Sequence, residues 1–246
     1  MPKFFQNLDE KYITENFSGI LVIADVHGNF SSFSSAIDYA SVNNLYIVQL
    51  GDIVDYGSHS RECINLAKSL RDEKRISIIL GNHERKFQRY CIQKSEGHIR
   101  ITIKAPIQAT IDSVDDDKKT IDNFMTLYSE MSNVLKFKNV YFTHGALHED
   151  VIKTHEYSGI GYQYALYGQI DPNAPKHDGN YPNRIYAWVD KIPNDVKIFV
   201  GHDIRSVHEP IVDGNVTFLD TGSGKGGKLS CTVLNLDGSL KEFKRF

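Results

Sequence analysis

Five times in this chain a short apolar run ends abruptly in a small cluster of polar residues. Residues 19–24 (GILVIA) run into Asp25-Val-His27-Gly-Asn29, residues 45–50 into Gly51-Asp52-Ile-Val-Asp55, and residues 76–80 into Gly81-Asn82-His83-Glu84. Residues 140–143 then run into His144-Gly145, and residues 196–200 into Gly201-His202-Asp203. Continuous β-branched runs of this length read as strands buried on both faces. The segments between the first three, 30–42 and 59–74, are long enough for helices, with Ser31, Ser58 and Ser60 as candidate caps. A βαβαβ rhythm of this kind implies a parallel sheet with right-handed crossovers.

The rest of the chain reads differently. Residues 95–117 are irregular and end in the acidic cluster Asp115-Asp116-Asp117, which reads as a solvated loop. Residues 120–131 have a helical pattern, whereas 156–183, rich in Tyr, Gly, Pro and Asn, read as loops and short turns. Short strands are expected at 207–212, 216–219, 229–236 and 239–243, with Asp213-Gly214-Asn215 and Asp237-Gly238 as turns. The second half is therefore mainly antiparallel or mixed β. No linker or repeat interrupts the 246 residues, so the expectation is an α/β chain with two sheets in one domain, 1–246, carrying a loop-rich insertion around 156–190.

Charge and cysteine usage narrow the function classes. Lys and Arg number 28 against 31 Asp and Glu, a net charge of -3 that speaks against a wholesale basic nucleic-acid binder but leaves room for a local basic patch. Three cysteines, odd in number and far apart, argue against a disulfide framework or a thiolate zinc site and fit a reducing compartment. The amino terminus lacks an apolar core of signal-peptide length, and no stretch approaches the ~20 apolar residues of a membrane span. A cytoplasmic chain with no membrane contact and no obligate protein partner is expected.

Ligands in open α/β sheets gather beyond the carboxyl ends of strands. The five runs deliver Asp25, His27, Asp52, Asp55, Asn82, His83, His144 and His202 there, four of the chain's ten histidines among them. A mixed carboxylate, imidazole and carboxamide set without thiolates suits Mn²⁺, Fe²⁺ or Zn²⁺. The donors exceed what one ion needs, which points to two ions about 3.5–4 Å apart sharing a carboxylate, an arrangement that clamps an in-line phosphoryl displacement.

The ordered set Asp25-x-His27, Gly51-Asp52-x-x-Asp55, Gly81-Asn82-His83-Glu84, His144 and Gly201-His202 resembles the calcineurin-like metallophosphoesterases, spanning nearly the whole chain. The resemblance implies a central β-sandwich of two mixed sheets flanked by helices. It further implies two divalent ions, Mn²⁺ foremost with Fe, Zn or Ni as alternatives, and attack by a hydroxide bridging them. Asp25 and His27 would hold the first ion, Asp52 would bridge, and Asn82, His144 and His202 would hold the second. His83 would protonate the leaving oxygen, oriented by Asp55.

Two departures refine this. Ile204 stands where many members have a further histidine, which resembles the protein-phosphatase-like branch. That branch usually reads GDxxDRG, and here Tyr56 replaces its arginine, a residue that clamps phosphate bidentately. Arg184, Arg85 or Arg205 are the candidate replacements, Arg184 foremost. GNHERKFQRY, THGAL, YALYGQ and LDTGSGKGGKL look most like the bacterial and phage group. That group includes small phosphoprotein phosphatases, symmetrical dinucleoside-polyphosphate hydrolases and the phosphatase module of polynucleotide kinase–phosphatase enzymes. The implied activity is phosphomonoester hydrolysis on a phosphoprotein (Ser/Thr), nucleotide or nucleic-acid end. The alternatives are a symmetrical dinucleoside-polyphosphate hydrolase or phosphodiesterase, and a non-catalytic phosphate-binding regulatory module, for which only Tyr56 speaks.

Three lesser features complete the reading. Residues 222–228 match GxxxxGK, but Leu229 stands where a magnesium-touching hydroxyl belongs, so a glycine turn near the site is expected. Arg85, Lys86, Arg89 and Lys225 could line an entry for a nucleic-acid end, with a solvated helix face as the plain alternative for 85–89. Tyr157, Tyr162, Tyr164, Tyr167, Tyr181, Tyr186 and Trp188 read as packing for the insertion, with Tyr162 to Tyr167 the place for any base stacking.

Overall fold

The computed structural model describes residues 2–171, 173–174 and 183–246. Strand β2 (Gly19–Ile23) pairs in parallel with β3 (Leu45–Gln49), and β3 with β4 (Ile76–Ile78). On the other edge of β2, strands β10 (Ser230–Leu234) and β11 (Leu240–Arg245) add antiparallel, giving a five-stranded mixed sheet. The second sheet has six strands in the order β1 (Lys3–Asn7), β5 (Ser132–Phe137), β6 (Val140–Thr143), β7 (Lys197–Val200), β9 (Val216–Phe218) and β8 (Ile211–Asp213).

The period-2 alternation of strand side chains divides each run between two cores. In β2, Ile20 and Val22 face Phe137, Phe142 and Phe199 of the other sheet, while Leu21 and Ile23 face outward. Helix α1 (Glu10–Asn16) adds Ile13 to the core between the sheets. The outward side of the first sheet carries helices α2 (Phe30–Val42), α3 (Ser60–Asp72), α4 (Asn82–Ser95), α5 (Ala105–Val114) and α6 (Lys118–Glu130), whose Phe33, Cys63, Phe87, Ile107 and Phe124 fill that layer. Tyr141, Ile198 and Val200 on the outward face of the second sheet meet Val151 of α7 (Glu149–Thr154), Ala165 of α8 (Gly159–Tyr167) and Trp188. The result is the expected α/β architecture, two mixed sheets face to face with helices outside. Each fully buried Phe contributes roughly 2–3 kcal/mol to holding the layers together. Among the described residues no helix is long and apolar enough to cross a membrane.

Several local expectations change. Residues 95–117 are not irregular throughout: α5 occupies 105–114, and Asp117 of the acidic cluster caps α6 by accepting from the Thr120 N–H. Within 156–183, α8 forms where loops and short turns were expected; Gly159 and Gly161 in its first turn obscure the helical pattern. Asn29, not Ser31, caps α2, and α3 has no side-chain cap at all. Ser60 is instead buried against Thr110. Strands β1 and β5 carry too many polar residues to be read as apolar runs, and only the end of 207–212 is strand. Tyr181 lies outside the described residues.

One residue ties the strand ends of the first sheet together. Glu84, fully buried in the first turn of α4, accepts from the backbone N–H of Asp52 (2.8 Å), Ile53 (2.7 Å), Val54 (3.3 Å) and Gly81 (3.2 Å). The turn after β3 is thereby hung on the turn after β4. A side chain at Gly81 would collide with the Asp52 carboxylate and the Asp52 amide, so only glycine lets the two turns close. Glu84→Gln replaces two acceptor oxygens by one and aims an NH₂ group at backbone donors. It should lower unfolding stability by roughly 2–3 kcal/mol, read as a reduced urea midpoint with unchanged slope; a loss too small to measure would show that the two turns hold without it.

Candidate metal centre

The loops after β2, β3, β4, β6 and β7 bring Asp25, His27, Asp52, Asn82, His83, His144 and His202 to one place. Nδ1 of His27 donates to the Val54 carbonyl at 3.0 Å, which leaves the lone pair on Nε2. That buried Nε2 has no hydrogen-bond partner and lies 3.7 Å from Oδ2 of Asp25, which also has none, and 3.8 Å from Oδ2 of Asp52. Nδ1 of His144 likewise donates to the Leu50 carbonyl at 2.8 Å. Its Nε2 sits 3.0 Å from Oδ1 of Asn82 and 3.3 Å from Oδ2 of Asp52. At the first place two buried polar atoms, His27 Nε2 and Asp25 Oδ2, converge with no hydrogen-bond partner; at the second, Nε2 of His144 faces two oxygens at once.

Charge sharpens the point. Burial drives His27 down to about 3 and His202 well below the ordinary imidazole range, so both rings are neutral and able to donate a lone pair. Burial, then the neighbouring Asp220, raise Asp25, whereas Asp52 stays low because His144 and His83 outweigh its burial. Burial opposes protonation of His144, but Asp52 and Asp25 lift it to about 9, so a proton there does the work a cation would do. Two groups, His27 with Asp52 and His83, and Asp52 with His144 and His202, each place three ligand atoms within 4.8 Å, and Asp52 belongs to both. Unpartnered buried oxygen and nitrogen atoms of this chemistry fit divalent cations.

Around these groups the backbone is forced. His27, Asp52, Asp55, Tyr56 and His202 all take positive φ, between 49° and 74°, a region that costs a non-glycine residue roughly 1–2 kcal/mol. Nδ1 of His83 bonds Oδ2 of Asp55 at 2.6 Å, and Thr110 Oγ1 donates to the other Asp55 oxygen at 2.6 Å while accepting from the Asp55 N–H. Burial works against a charged His83, but Asp52 and Asp55 raise its pKa above the ordinary value.

A cavity of about 790 Å³ opens over the cluster, lined by Asn82, His83, Tyr56, Tyr167, Arg184 and Lys225 among others. Of the three arginines considered for the phosphate charge, Arg184 lines it, and its Nη2 lies 2.6 Å from Nε2 of His202. Arg85 does not line it, but donates to the hydroxyl of Tyr167, which does. Arg205 is turned away, bonded to Asp213 and laid on the rings of Tyr186 and Phe218, because the aromatic ledge holds its guanidinium outside the cavity. Tyr56 packs edge-on against His27, and the Lys225 ammonium lies 4.6 Å above its ring.

Residues 222–228 form the glycine turn expected of them. Gly222 and Gly224 take positive φ, and a side chain on Gly224 would strike the His27 carbonyl, so the turn lies against the loop after β2. Sequence reading assigned no role to Glu84, Thr110 or Asp220. Thr110 lies inside α5, away from any strand end, while Glu84 and Asp220 stand at strand ends and act through backbone N–H groups, a partnership that residue type does not encode. Of the aromatic residues in the insertion, Tyr167 and Tyr186 line the cavity, and Tyr162 packs on the helical core beneath Arg85.

Comparison with known proteins agrees with this geometry. Residues 19–223 match the family model described as calcineurin-like phosphoesterase. The asymmetrical bis(5'-nucleosyl)-tetraphosphatase PrpE of Halalkalibacterium halodurans is 26% identical over 226 residues, covering 85% of this chain and 87% of the relative. The PrpE of Bacillus cereus strain AH187 is 26% identical over 227 residues with the same coverage. Among solved structures, a candidate diadenosine tetraphosphatase superposes with a TM-score of 0.66 at 18% identity, covering 99% of this chain and 98% of the other. A Saccharomyces cerevisiae serine/threonine phosphatase with similarity to human PP5 gives 0.62 at 15% identity, over 99% and 83%. The two structures share the fold; the family match spans most of the sequence and every motif loop, and it establishes that the chain belongs to the calcineurin-like phosphoesterases, hydrolases of phosphoric esters that use divalent metal ions.

Proposed function

We propose that this chain, acting as one domain in a reducing cytoplasmic setting, hydrolyses nucleotide phosphates with two divalent ions, manganese foremost. Asp25, His27 and Asp52 would hold one ion, and Asp52, Asn82, His144 and His202 the other. The observation that carries this reading is the pair of buried, unpartnered atoms, Asp25 Oδ2 and His27 Nε2, beside the Asp52 carboxylate that also meets His144. When bound, such a pair of ions neutralises phosphate oxygens and acidifies the attacking water.

The protein's own groups do the rest. His83 lines the cavity with Nδ1 anchored to Asp55, so its Nε2 is the atom that hands a proton to the leaving oxygen. Arg184 has a double part. A neutral imidazole has one N–H and one lone pair. If Nε2 of His202 accepts from Arg184, Nδ1 carries the proton and cannot ligate; if Nδ1 ligates, Nε2–H meets the guanidinium hydrogen to hydrogen. If Nε2 itself ligates, its lone pair is taken. Loading His202 therefore releases Arg184 in every case, and leaves a guanidinium facing the cavity for the phosphate that Tyr56 cannot hold. Monoester hydrolysis needs only these groups. Hydrolysis of dinucleoside polyphosphates is favoured by the tetraphosphatase relatives, and a phosphoprotein substrate has only a shared fold in its favour.

Mn²⁺ added to metal-stripped protein should raise its melting temperature by about 5–10 °C at a hundredfold excess over its dissociation constant, and should switch on p-nitrophenyl phosphate hydrolysis. Asp52→Asn should abolish both effects; retention of both would sink the ligand assignment. His83→Ala should slow esters of poor leaving groups by roughly 10²–10⁴-fold and p-nitrophenyl phosphate far less, whereas equal losses would remove His83 from the acid's role. Arg184→Ala should raise KM for phosphate substrates by about 10–100-fold without removing the Mn²⁺-induced thermal shift; an unchanged KM would return the phosphate clamp to another residue.

A further inference from the structure

A second cavity, of about 520 Å³, opens off the first and shares Asn82 and Tyr167 with it. Its other lining residues are Arg85, Lys86, Arg89, Arg100, Ile101, Thr102 and Lys104. Five cations thus meet in one groove with no carboxylate in its wall, in a chain whose net charge is -3. Among the described residues none of the five forms an ion pair, although surface lysines and arginines elsewhere, such as Lys68, Arg71, Lys94 and Arg205, do. Like charges gathered without counter-charges repel one another, so the arrangement is unfavourable until an anion enters.

The layout indicates which anion. Arg85, Lys86 and Arg89 lie along α4, whose first residue, Asn82, belongs to the metal centre. Arg85 and Arg89 share a helix face and are separated by about 6 Å along the axis, four residues at about 1.5 Å each. Arg100 and Lys104 line the same groove from the segment between α4 and α5. Arg85 is fixed at the junction by its 2.8 Å bond to the Tyr167 hydroxyl and by the Tyr162 ring beneath it. Arg89, Arg100 and Lys104 line the second cavity and not the first, so a chain of linked phosphates running past Arg85 would meet them where a lone phosphate in the first cavity would not. Guanidinium groups in such a row suit successive phosphate oxygens.

We propose that this groove is a subsite for the phosphates of a polyphosphate chain beyond the one being attacked. The proposal rests on the phosphoester-hydrolase reading of the neighbouring centre and adds the class of substrate. It assigns the metals to the scissile phosphate and the groove to the rest of the chain. A polyphosphate chain belongs to dinucleoside polyphosphates and to inorganic polyphosphate alike.

The test compares orthophosphate, tripolyphosphate and diadenosine tetraphosphate by calorimetry on Mn²⁺-loaded protein, with Mn²⁺ kept in excess of the chelating chains. On the unaltered protein tripolyphosphate should bind about tenfold or more tighter than orthophosphate, the scale of one to two charge-assisted contacts. In Arg100→Glu/Lys104→Glu that advantage should shrink to about threefold or less, while the orthophosphate affinity and p-nitrophenyl phosphate turnover stay as they were. Should that variant not fold, Arg100→Gln/Lys104→Gln is expected to give a smaller loss in the same direction. An advantage undiminished in the folded variant overturns the subsite. So does an advantage shown only by a 5′-phosphorylated single-stranded oligonucleotide, which would give the groove to nucleic acid. Tighter binding of diadenosine tetraphosphate than of the bare chain supports the subsite and identifies the nucleotide as the source; equal affinity supports it with the bare chain as ligand. Failure of p-nitrophenyl phosphate hydrolysis with the tripolyphosphate advantage intact would sink the hydrolase reading and leave the groove standing.

Discussion

A buried carboxylate that accepts four backbone N–H groups underlies the whole centre. Glu84 has no contact with the cavity, yet it holds the turn carrying Asp52 and Asp55 to the turn carrying Asn82 and His83. Burial and the nearby Asp52 push its pKa up to about 7, so the N–H groups it collects are what keep it in acceptor form. The order of dependence runs from strand pairing, which brings β3 and β4 side by side, to the clamp, and only then to the side chains that face the cavity.

The centre itself is poised by electrostatics more than by hydrogen bonding. Asp25, Asp52 and Asp220 are buried close together, and what balances them in the structure is positive charge on His144 and His83, with Lys225 a smaller influence on Asp25 and Asp220. Groups packed this way stabilise a cation and little else. Arg184 provides the complement, since the same contact that ties it to His202 is incompatible with that ring serving as a ligand. In the proposed reading, metal loading and phosphate recognition would be coupled through that one imidazole.

Much of this was legible in the sequence because strand ends are punctuated so sharply. Asp25, His27, Asp52, Asn82, His83, His144 and His202 each follow an apolar run directly, and the structure brings all of them to one cavity floor or wall. The two-sheet architecture was legible for the same reason. Strands β1 and β5 were not, since Gln6, Asn7, Ser132, Asn133 and Lys136 break the apolar pattern, and the burial of β5 is imposed by neighbours rather than by propensity. Helix α8 was hidden by Gly159 and Gly161, residues that weaken a helix unless packing compensates. Arg205 follows the last motif directly, yet the rings of Tyr186 and Phe218 draw it off, a tertiary choice that adjacency in sequence does not encode.

The left-handed backbone at His27, Asp52, Asp55, Tyr56 and His202 has an evolutionary corollary. At each of these five positions glycine would relax the main chain, so selection for heat endurance alone pulls against the very side chains the centre uses. A lineage that ceased to need the activity would therefore drift toward glycine there, gaining robustness as it lost chemistry.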